Sequence, residues 1–254
     1  MGRLCEAPLP AGLSRAVVGL YVRAYKVNLA ECEGPDAYPS FDAFFTRPLK
    51  PGLRAICDND DAVVSPADGS IEAMGTIDLD RTLTIKQRPY RVAELIGDEA
   101  DAKRYAGGQF AVIYLSPRDY HRVHAPVSGA VAMVRSCPGD LFPVNSIGER
   151  HVPSLFSRNR RVAIVIDTER LGRITVVMVG AIIVGRITVT ALGGRDVPLG
   201  DHHIRPALSV QKGDEIGVFH LGSTAIVFVE PGHVRPFVRP LGPVRLGQSL
   251  MGDP

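Results

Sequence analysis

Lys212-Gly213-Asp214-Glu215-Ile216-Gly217-Val218-Phe219-His220-Leu221-Gly222-Ser223-Thr224-Ala225-Ile226-Val227-Phe228-Val229 is the stretch on which the fold turns. Lys212 to Gly217 reads as a tight turn between strands, and Ala225 to Val229 is a short apolar run of strand length that reads as a buried strand. Between them, Gly222-Ser223 opens the strand with residues that packing does not require. On its own, His-Leu-Gly-Ser-Thr reads first as a turn, because such residues dominate turns. A second reading is chemical. Glycine has no Cβ, so the Gly222 carbonyl can be twisted and approached by the Ser223 hydroxyl at low steric cost, the layout of an N-to-O acyl shift.

Outward from this stretch, the chain from Ala62 is punctuated by Asp68-Gly69, Gly107-Gly108, Ser128-Gly129, Pro138-Gly139, Gly193-Gly194 and Lys212-Gly213. Short strands at such spacing predict an antiparallel sandwich or barrel. Ser65 to Ile71, His124 to Val131 and Val210 to Gly217 look alike, and turns of this kind recur in barrel-sandwich modules. The predicted class is therefore α+β, predominantly antiparallel β, with a barrel-sandwich-like core and N-terminal amphipathic helices. Ile174 to Gly185 predicts consecutive buried strands; its twelve apolar residues fall short of the ~20 a spanning helix needs.

Upstream the period changes. Leu13, Val17, Leu20, Ala24 and Val27 share one helical arc, with Arg15, Arg23 and Lys26 opposite, which predicts a basic amphipathic helix over 13–29. It serves equally as a membrane-surface anchor or as a helix docked on its own core. A short second helix is expected at Phe41 to Phe45, before the Lys50-Pro51-Gly52 turn. Two regions follow: a helical membrane-contact region over 1–60 and a β-rich catalytic domain over 61–254.

Of 254 residues, 45% are hydrophobic, enough to bury a sizeable core. A net charge of +2, from 29 basic and 27 acidic residues, gives no global pull toward nucleic acid. Cys5, Cys32, Cys57 and Cys137 lie far apart, which favours neither a zinc knuckle nor a disulfide framework and suits a reducing cytoplasm. Arg3 is followed by Glu6 and two prolines rather than an apolar run, so no cleaved leader is predicted.

Two further segments carry chemistry. Tyr114-Leu115-Ser116-Pro117-Arg118-Asp119-Tyr120-His121-Arg122-Val123-His124-Ala125-Pro126 crowds two imidazoles into one loop. Val64-Ser65-Pro66-Ala67-Asp68-Gly69-Ser70-Ile71 sets a carboxylate in a turn, where by itself Asp68 reads as a turn cap. A serine hydroxyl becomes nucleophilic when a histidine, oriented by a carboxylate, removes its proton, and Ser223, His124 and Asp68 suit those roles.

Together with Phe44-Phe45-Thr46-Arg47-Pro48-Leu49-Lys50-Pro51-Gly52-Leu53-Arg54 and Val179-Gly180-Ala181-Ile182-Ile183-Val184-Gly185, these blocks stand in the order found in the phosphatidylserine decarboxylase family, which the chain resembles from Phe41 to Val229. The family usually has Asn-Glu-Arg-Val where this chain has Asn159-Arg160-Arg161-Val162, which puts local ion pairing in question. The resemblance implies cleavage between Gly222 and Ser223 into a β chain 1–222 and an α chain 223–254, which remain together as a heterodimer that can pair into a homodimer. Ser223 would become an N-terminal pyruvoyl group, a pyruvate-type cofactor that decarboxylates phosphatidylserine to phosphatidylethanolamine and CO2 through a Schiff base. Thr224 would assist the cleavage by hydrogen bonding, and His121 would donate a proton to the carbanion. Arg118 and Arg122 would meet the lipid phosphate, and the expected place is the cytoplasmic face of the membrane, peripherally bound to anionic lipid. No metal and no nucleic acid are expected. The rival readings are a zinc hydrolase using His121, His124, His202 and His203 with Asp201, and a noncatalytic barrel-sandwich binding module. A carrier lysine at Lys212 is disfavoured, since the flanking methionine of such carriers is missing.

Overall fold

The computed structural model describes residues 5–144, 146–181, 186–220 and 223–252, with Ser223 described in its backbone alone. The Gly222 carbonyl, the Ser223 side chain and residues 182–185 of the resemblance lie outside the described residues.

Helix α1 (Ala11–Tyr25) ends earlier than the periodicity predicts, because Lys26 adopts a left-handed conformation at φ 55° and its N–H caps Val22 O. Val27, expected on the helical arc, instead packs into a small core with Val18, Tyr38 and Phe44. Ser14 fixes α1 to this core by donating to Tyr38 O at 2.6 Å. Helix α2 (Phe41–Phe45) forms where expected, with the Ser40 hydroxyl accepting from Ala43 N–H. Short helices α3 (Val92–Ile96), α4 (Glu99–Ala102), α5 (Ser146–His151) and α6 (Leu155–Arg158) lie beyond the region where helix was expected to end.

The strands are β1 (Gly69–Thr76), β2 (Thr82–Ile85), β3 (Arg88–Arg91), β4 (Gln109–Leu115), β5 (Arg122–His124), β6 (Gly129–Cys137), β7 (Arg161–Asp167), β8 (Arg173–Gly180), β9 (Arg186–Val189), β10 (Gly200–Val210), β11 (Glu215–His220), β12 (Ser223–Val229) and β13 (Gly242–Val244). Eight of them form one antiparallel sheet in the order β10-β6-β7-β8-β12-β4-β1-β13; β5-β11-β9 form a second sheet and β2-β3 a hairpin. The central strands of the large sheet are buried on both faces, whereas its edge strand β10 is exposed along most of its length. On β12, Ala225, Val227 and Val229 join a core shared with Val123, Ile187, Ile216 and Phe219 of the small sheet. Ile226 and Phe228, alternating with them, meet Leu83, Tyr90, Leu95 and Ile96 of the hairpin and α3. Three layers result, which explains why the apolar run at 225–229 lacks a polar face. The Ile174 to Gly185 run yields β8, a central strand, rather than a described pair of strands.

The layers pass close at Gly217, where an added Cβ would lie 2.7 Å from Met178 Sδ and 2.9 Å from Thr188 O. The departure at Arg160 is compensated locally, since its guanidinium grips Asp196 at 2.8 and 2.9 Å. Its neighbour Asn159, fully buried, accepts from Phe142 N–H and donates to Phe142 O and Gly180 O at 2.8 and 2.9 Å. Asn159→Ala should therefore cost about 3 kcal/mol, three bonds at roughly 1 kcal/mol each, read as a lowered urea midpoint at unchanged slope. A loss under about 1 kcal/mol would show that this amide is not holding the end of β8.

Candidate functional site

Ser223 opens β12 between two partners, Leu115 of β4 and Gly180 of β8. Beyond Leu115 the chain turns tightly, with Asp119 Oδ2 accepting from Ser116 N–H at 2.7 Å and Asp119 N–H donating to Ser116 O at 2.9 Å. Burial raises the Asp119 carboxyl above its usual range. The turn delivers His121 into the interior, with its ring centroid 4.0 Å from that of Phe45 and its carbonyl accepting from Phe219 N–H at 2.9 Å. His121 Nδ1 lies 2.8 Å from Asp119 O. A carbonyl only accepts, so Nδ1 carries the proton and Nε2 holds a lone pair. That Nε2 is buried and without a hydrogen-bond partner among the described residues, as are Ser116 Oγ and Thr224 Oγ1. Burial pushes the His121 pKa down to about 3, helped by the Arg47 charge, so the ring is neutral near pH 7.

Three orphaned polar atoms thus belong to residues gathered around the start of β12: Ser116 follows the partner of Ser223, Thr224 follows Ser223 itself, and His121 is bonded to β11 just ahead of it. Buried polar atoms are nearly always satisfied, so a cluster of exceptions marks a place prepared for groups still to arrive.

His124 lies at the other end of β11, where it pairs with Glu215. Its Nδ1 donates to Gly213 O at 2.7 Å, and its Nε2 accepts from the Tyr120 hydroxyl at 3.1 Å. Burial lowers its pKa, while the backbone bond and the charges of Glu215 and Asp68 oppose the shift. Asp68 is gripped by Arg54 Nε and Nη2 at 3.0 and 2.6 Å and accepts from Leu246 N–H at 2.9 Å; Arg54 also reaches Glu31 at 2.6 Å. Gly69 beside it has no room for a side chain, since an added Cβ would lie 2.4 Å from Tyr114 O. Asp68 and His124 therefore share an electrostatic neighbourhood, and the hydrogen bonds of each go to other groups.

The two arginines divide. Arg122 is engaged by Glu215 at 2.8 Å and Thr46 O at 2.9 Å, whereas Arg118 stands exposed on the rim, 3.8 Å from Asp119. A cleft of about 540 Å³ is lined by Asp68, Ser116, Arg118, Asp119 and Tyr120. His202 and His203 lie on β10, at the far edge of the large sheet from this cleft, and among the described residues no three metal-binding side chains converge. The zinc arrangement is thus not assembled. Lys212 Nζ is tied to Cys57 O and Asn59 O rather than displayed at a hairpin tip.

Several residues gained no role from sequence alone. Arg47 and Arg54 stand within the Phe44 to Arg54 block, whose order was legible but whose contacts are not local. His220, two residues before Gly222, has Nδ1 2.8 Å from Asp42 Oδ1, and Arg186 joins Asp42 at 2.7 Å and Glu6 at 2.7 Å. Burial pushes Asp42 up, but its bond to His220 and the charges of His220 and Arg186 bring it below the usual carboxylate range. These contacts clamp α2 to the end of β11.

Residues 41–252 match the family described as phosphatidylserine decarboxylase. Curated proteins named phosphatidylserine decarboxylase proenzyme are similar along nearly the whole chain. That of Shewanella loihica is 40% identical, covering 98% of this chain and 92% of its own length. That of Anaeromyxobacter sp. (strain K) is 41% identical, covering 97% and 89%, and that of Bordetella pertussis 43%, covering 98% and 88%.

The buried histidines make stability depend on pH in one direction. Unfolded, His121 titrates at its ordinary 6.5; folded, at about 3. Below 6.5 the unfolded chain takes a proton that the folded one refuses, so stability present at neutral pH is lost as pH falls toward 3, by about 1.4 kcal/mol per pH unit for each such histidine. His124 adds to the same loss. His121→Gln should flatten the fall of the urea stability between about pH 6 and 4 by roughly one proton's slope; an unchanged slope would mean that His121 is protonated in the folded protein.

Proposed function

This chain belongs to the phosphatidylserine decarboxylase family, and on that footing we propose that it is a self-cleaving, pyruvoyl-dependent carboxy-lyase that converts phosphatidylserine to phosphatidylethanolamine at a membrane surface. The observation that carries the reading is the set of unsatisfied buried atoms, Ser116 Oγ, His121 Nε2 and Thr224 Oγ1, on residues gathered around the strand that Ser223 begins. Such atoms fit a carbonyl-bearing group at the start of β12 and the polar headgroup that meets it.

In the cleavage step the Ser223 hydroxyl, relieved of its proton by His124, attacks the Gly222 carbonyl and the peptide bond gives way to an ester; β-elimination then frees the Gly222 carboxylate and leaves a dehydroalanine, whose hydrolysis releases ammonia and leaves the pyruvoyl group. The Gly213 carbonyl fixes the His124 tautomer with the lone pair on Nε2, and the Tyr120 hydroxyl on that nitrogen connects it to the cleft that Ser116 and Asp68 line. Burial keeps Tyr120 a neutral phenol. Asp68 acts through its field, which favours the charged imidazole.

Once formed, the pyruvoyl group supplies the electron sink for loss of CO2. His121 handles the proton. Its neutral Nε2 takes one from the substrate ammonium, which must shed it to react, and returns it to the α-carbon after CO2 departs. A second reading exchanges the histidines, favoured by one observation: His121, rather than His124, is bonded to Phe219, three residues before Gly222.

At the membrane, α1 offers Leu13, Val17 and Leu20, exposed by 51, 36 and 72%, with Arg15 and Arg23 also in solvent. Among the described residues no helix is long and apolar enough to cross a bilayer. Three basic residues, Arg15, Arg23 and Lys26, would add about 3 kcal/mol on an anionic surface before screening.

Ser223→Ala and His124→Ala should remain uncut on a denaturing gel, while His121→Ala cuts but decarboxylates at least about a hundredfold more slowly. If His121→Ala stays uncut and His124→Ala cuts, the exchanged assignment holds. The double change Leu13→Asp, Leu20→Asp should cut normally yet lose about tenfold or more in sedimentation with phosphatidylserine vesicles. Undiminished sedimentation would move the membrane contact away from α1.

A further inference from the structure

We propose that Arg47 is the specificity-determining cation that recognises the phosphodiester of the headgroup, an assignment that rests on the decarboxylase reading. Arg47 follows α2 and is only 3% exposed. Its Nε donates to Cys32 Sγ at 3.1 Å, its Nη1 to Phe44 O at 3.3 Å, and its Nη2 to the carbonyls of Arg118 and Asp119 at 3.0 and 3.4 Å. The guanidinium carbon lies 5.0 Å from the Phe44 ring centroid. Among the described residues no carboxylate comes within ion-pair distance of it, although buried charges are ordinarily paired.

Arg161 shows that burial among carbonyls is not sufficient for this role. It too is buried and held by the carbonyls of Leu95, Ser157 and Asn159, but it lines none of the clefts described. Arg47 lines the 540 Å³ cleft together with Ser116, whose buried hydroxyl is unpartnered. The charges of that cleft do not cancel. The cleft is lined by five cations, Lys26, Arg47, Arg54, Arg118 and Arg245, and by four carboxylates, of which Glu31 and Asp68 both hold Arg54 and Glu72 is met from outside the lining by Lys86 at 2.7 Å. The balance is a small excess of positive charge, which favours an anion.

The headgroup offers two anions, the serine carboxylate and the phosphodiester. A cation bound to the carboxylate would stabilise the charge that decarboxylation must dissipate, holding the ground state more firmly than the transition state. The phosphodiester keeps its charge throughout and loses nothing by firm binding. The contacts of Arg47 use four of the five N–H donors of a guanidinium and leave one on Nη1 for a phosphodiester oxygen, and the backbone carbonyls that hold the group preset its direction at little further entropic cost. Arg118, exposed on the rim, adds a second cation without those buried contacts.

The test uses glycerophosphoethanolamine, which keeps the phosphodiester, against ethanolamine, which lacks it. Binding of both to the processed enzyme is measured by calorimetry, with self-cleavage followed on a gel and CO2 release from phosphatidylserine micelles on the same preparations. Wild type should bind glycerophosphoethanolamine about 10- to 100-fold more tightly than ethanolamine, and Arg47→Gln should abolish most of that ratio while still self-cleaving. Arg47→Lys keeps the charge but not the carbonyl contacts that fix its direction, and should fall between. A ratio unchanged in Arg47→Gln overturns the proposal, as does a wild type without preference. Should Arg47→Gln fail to self-cleave, Arg47→Lys decides: a reduced ratio supports the role and an unaltered one overturns it. A wild type that binds glycerophosphoethanolamine tightly but releases no CO2 overturns the decarboxylase reading alone.

Discussion

The register of β8, β12 and β4 is the constraint from which the site follows. Ser223 stands opposite Gly180 on one side and Leu115 on the other, and both neighbouring strands are anchored beyond it. Asn159 ties the end of β8, while the Ser116 to Asp119 turn ties the end of β4. A one-residue slip would exchange the two faces of β12, driving Ala225, Val227 and Val229 into the layer built for Ile226 and Phe228. Burial on both faces therefore does more than stabilise the sheet. It holds the start of β12 in one place, between Leu115 and Gly180.

Charge supplies the second level of order. Arg54 spans Glu31 and Asp68 and so ties the N-terminal segment to the β1 turn, while Arg186 and His220 meet at Asp42 and tie α2 to β11. The first link lies in the cleft wall, and the second fastens α2 to the small sheet. The segments that follow the N-terminal helices thus contribute residues to the cleft wall, Arg47 among them, while α1 presents its exposed arc. On the proposed function, a covering that both lines the cleft and displays leucines outward suits a substrate held partly in a bilayer.

Much of this was legible in the residues. Apolar run length and glycine turns gave the antiparallel strands, and the Phe41 to Phe45 run before the Lys50-Pro51-Gly52 turn gave α2. The extent of α1 was misjudged because Val27 continues the period after Lys26 has left the helix, a change made by the chain's turn into its own small core. The short helices after residue 90 carry too few turns to show a period. Within the site, the two histidines and Asp68 stood out by type and spacing, but their partners did not. A bond from His124 to Gly213 O, 89 positions away, or from Arg54 to Asp68 across a turn, depends on tertiary approach that no local pattern encodes. The same holds for Arg122, which was expected with Arg118 to meet the lipid phosphate and whose guanidinium is held by Glu215.

The central claim is that the bond between Gly222 and Ser223 is broken by the chain itself. Intact-mass analysis of freshly purified protein tests it most directly. The account predicts two chains, residues 1–222 and a fragment of 254 − 222 = 32 residues whose N-terminus carries a pyruvoyl group and no free amine. A single chain of 254 residues that persists through prolonged incubation, or a fragment beginning with an ordinary serine amine, would contradict it.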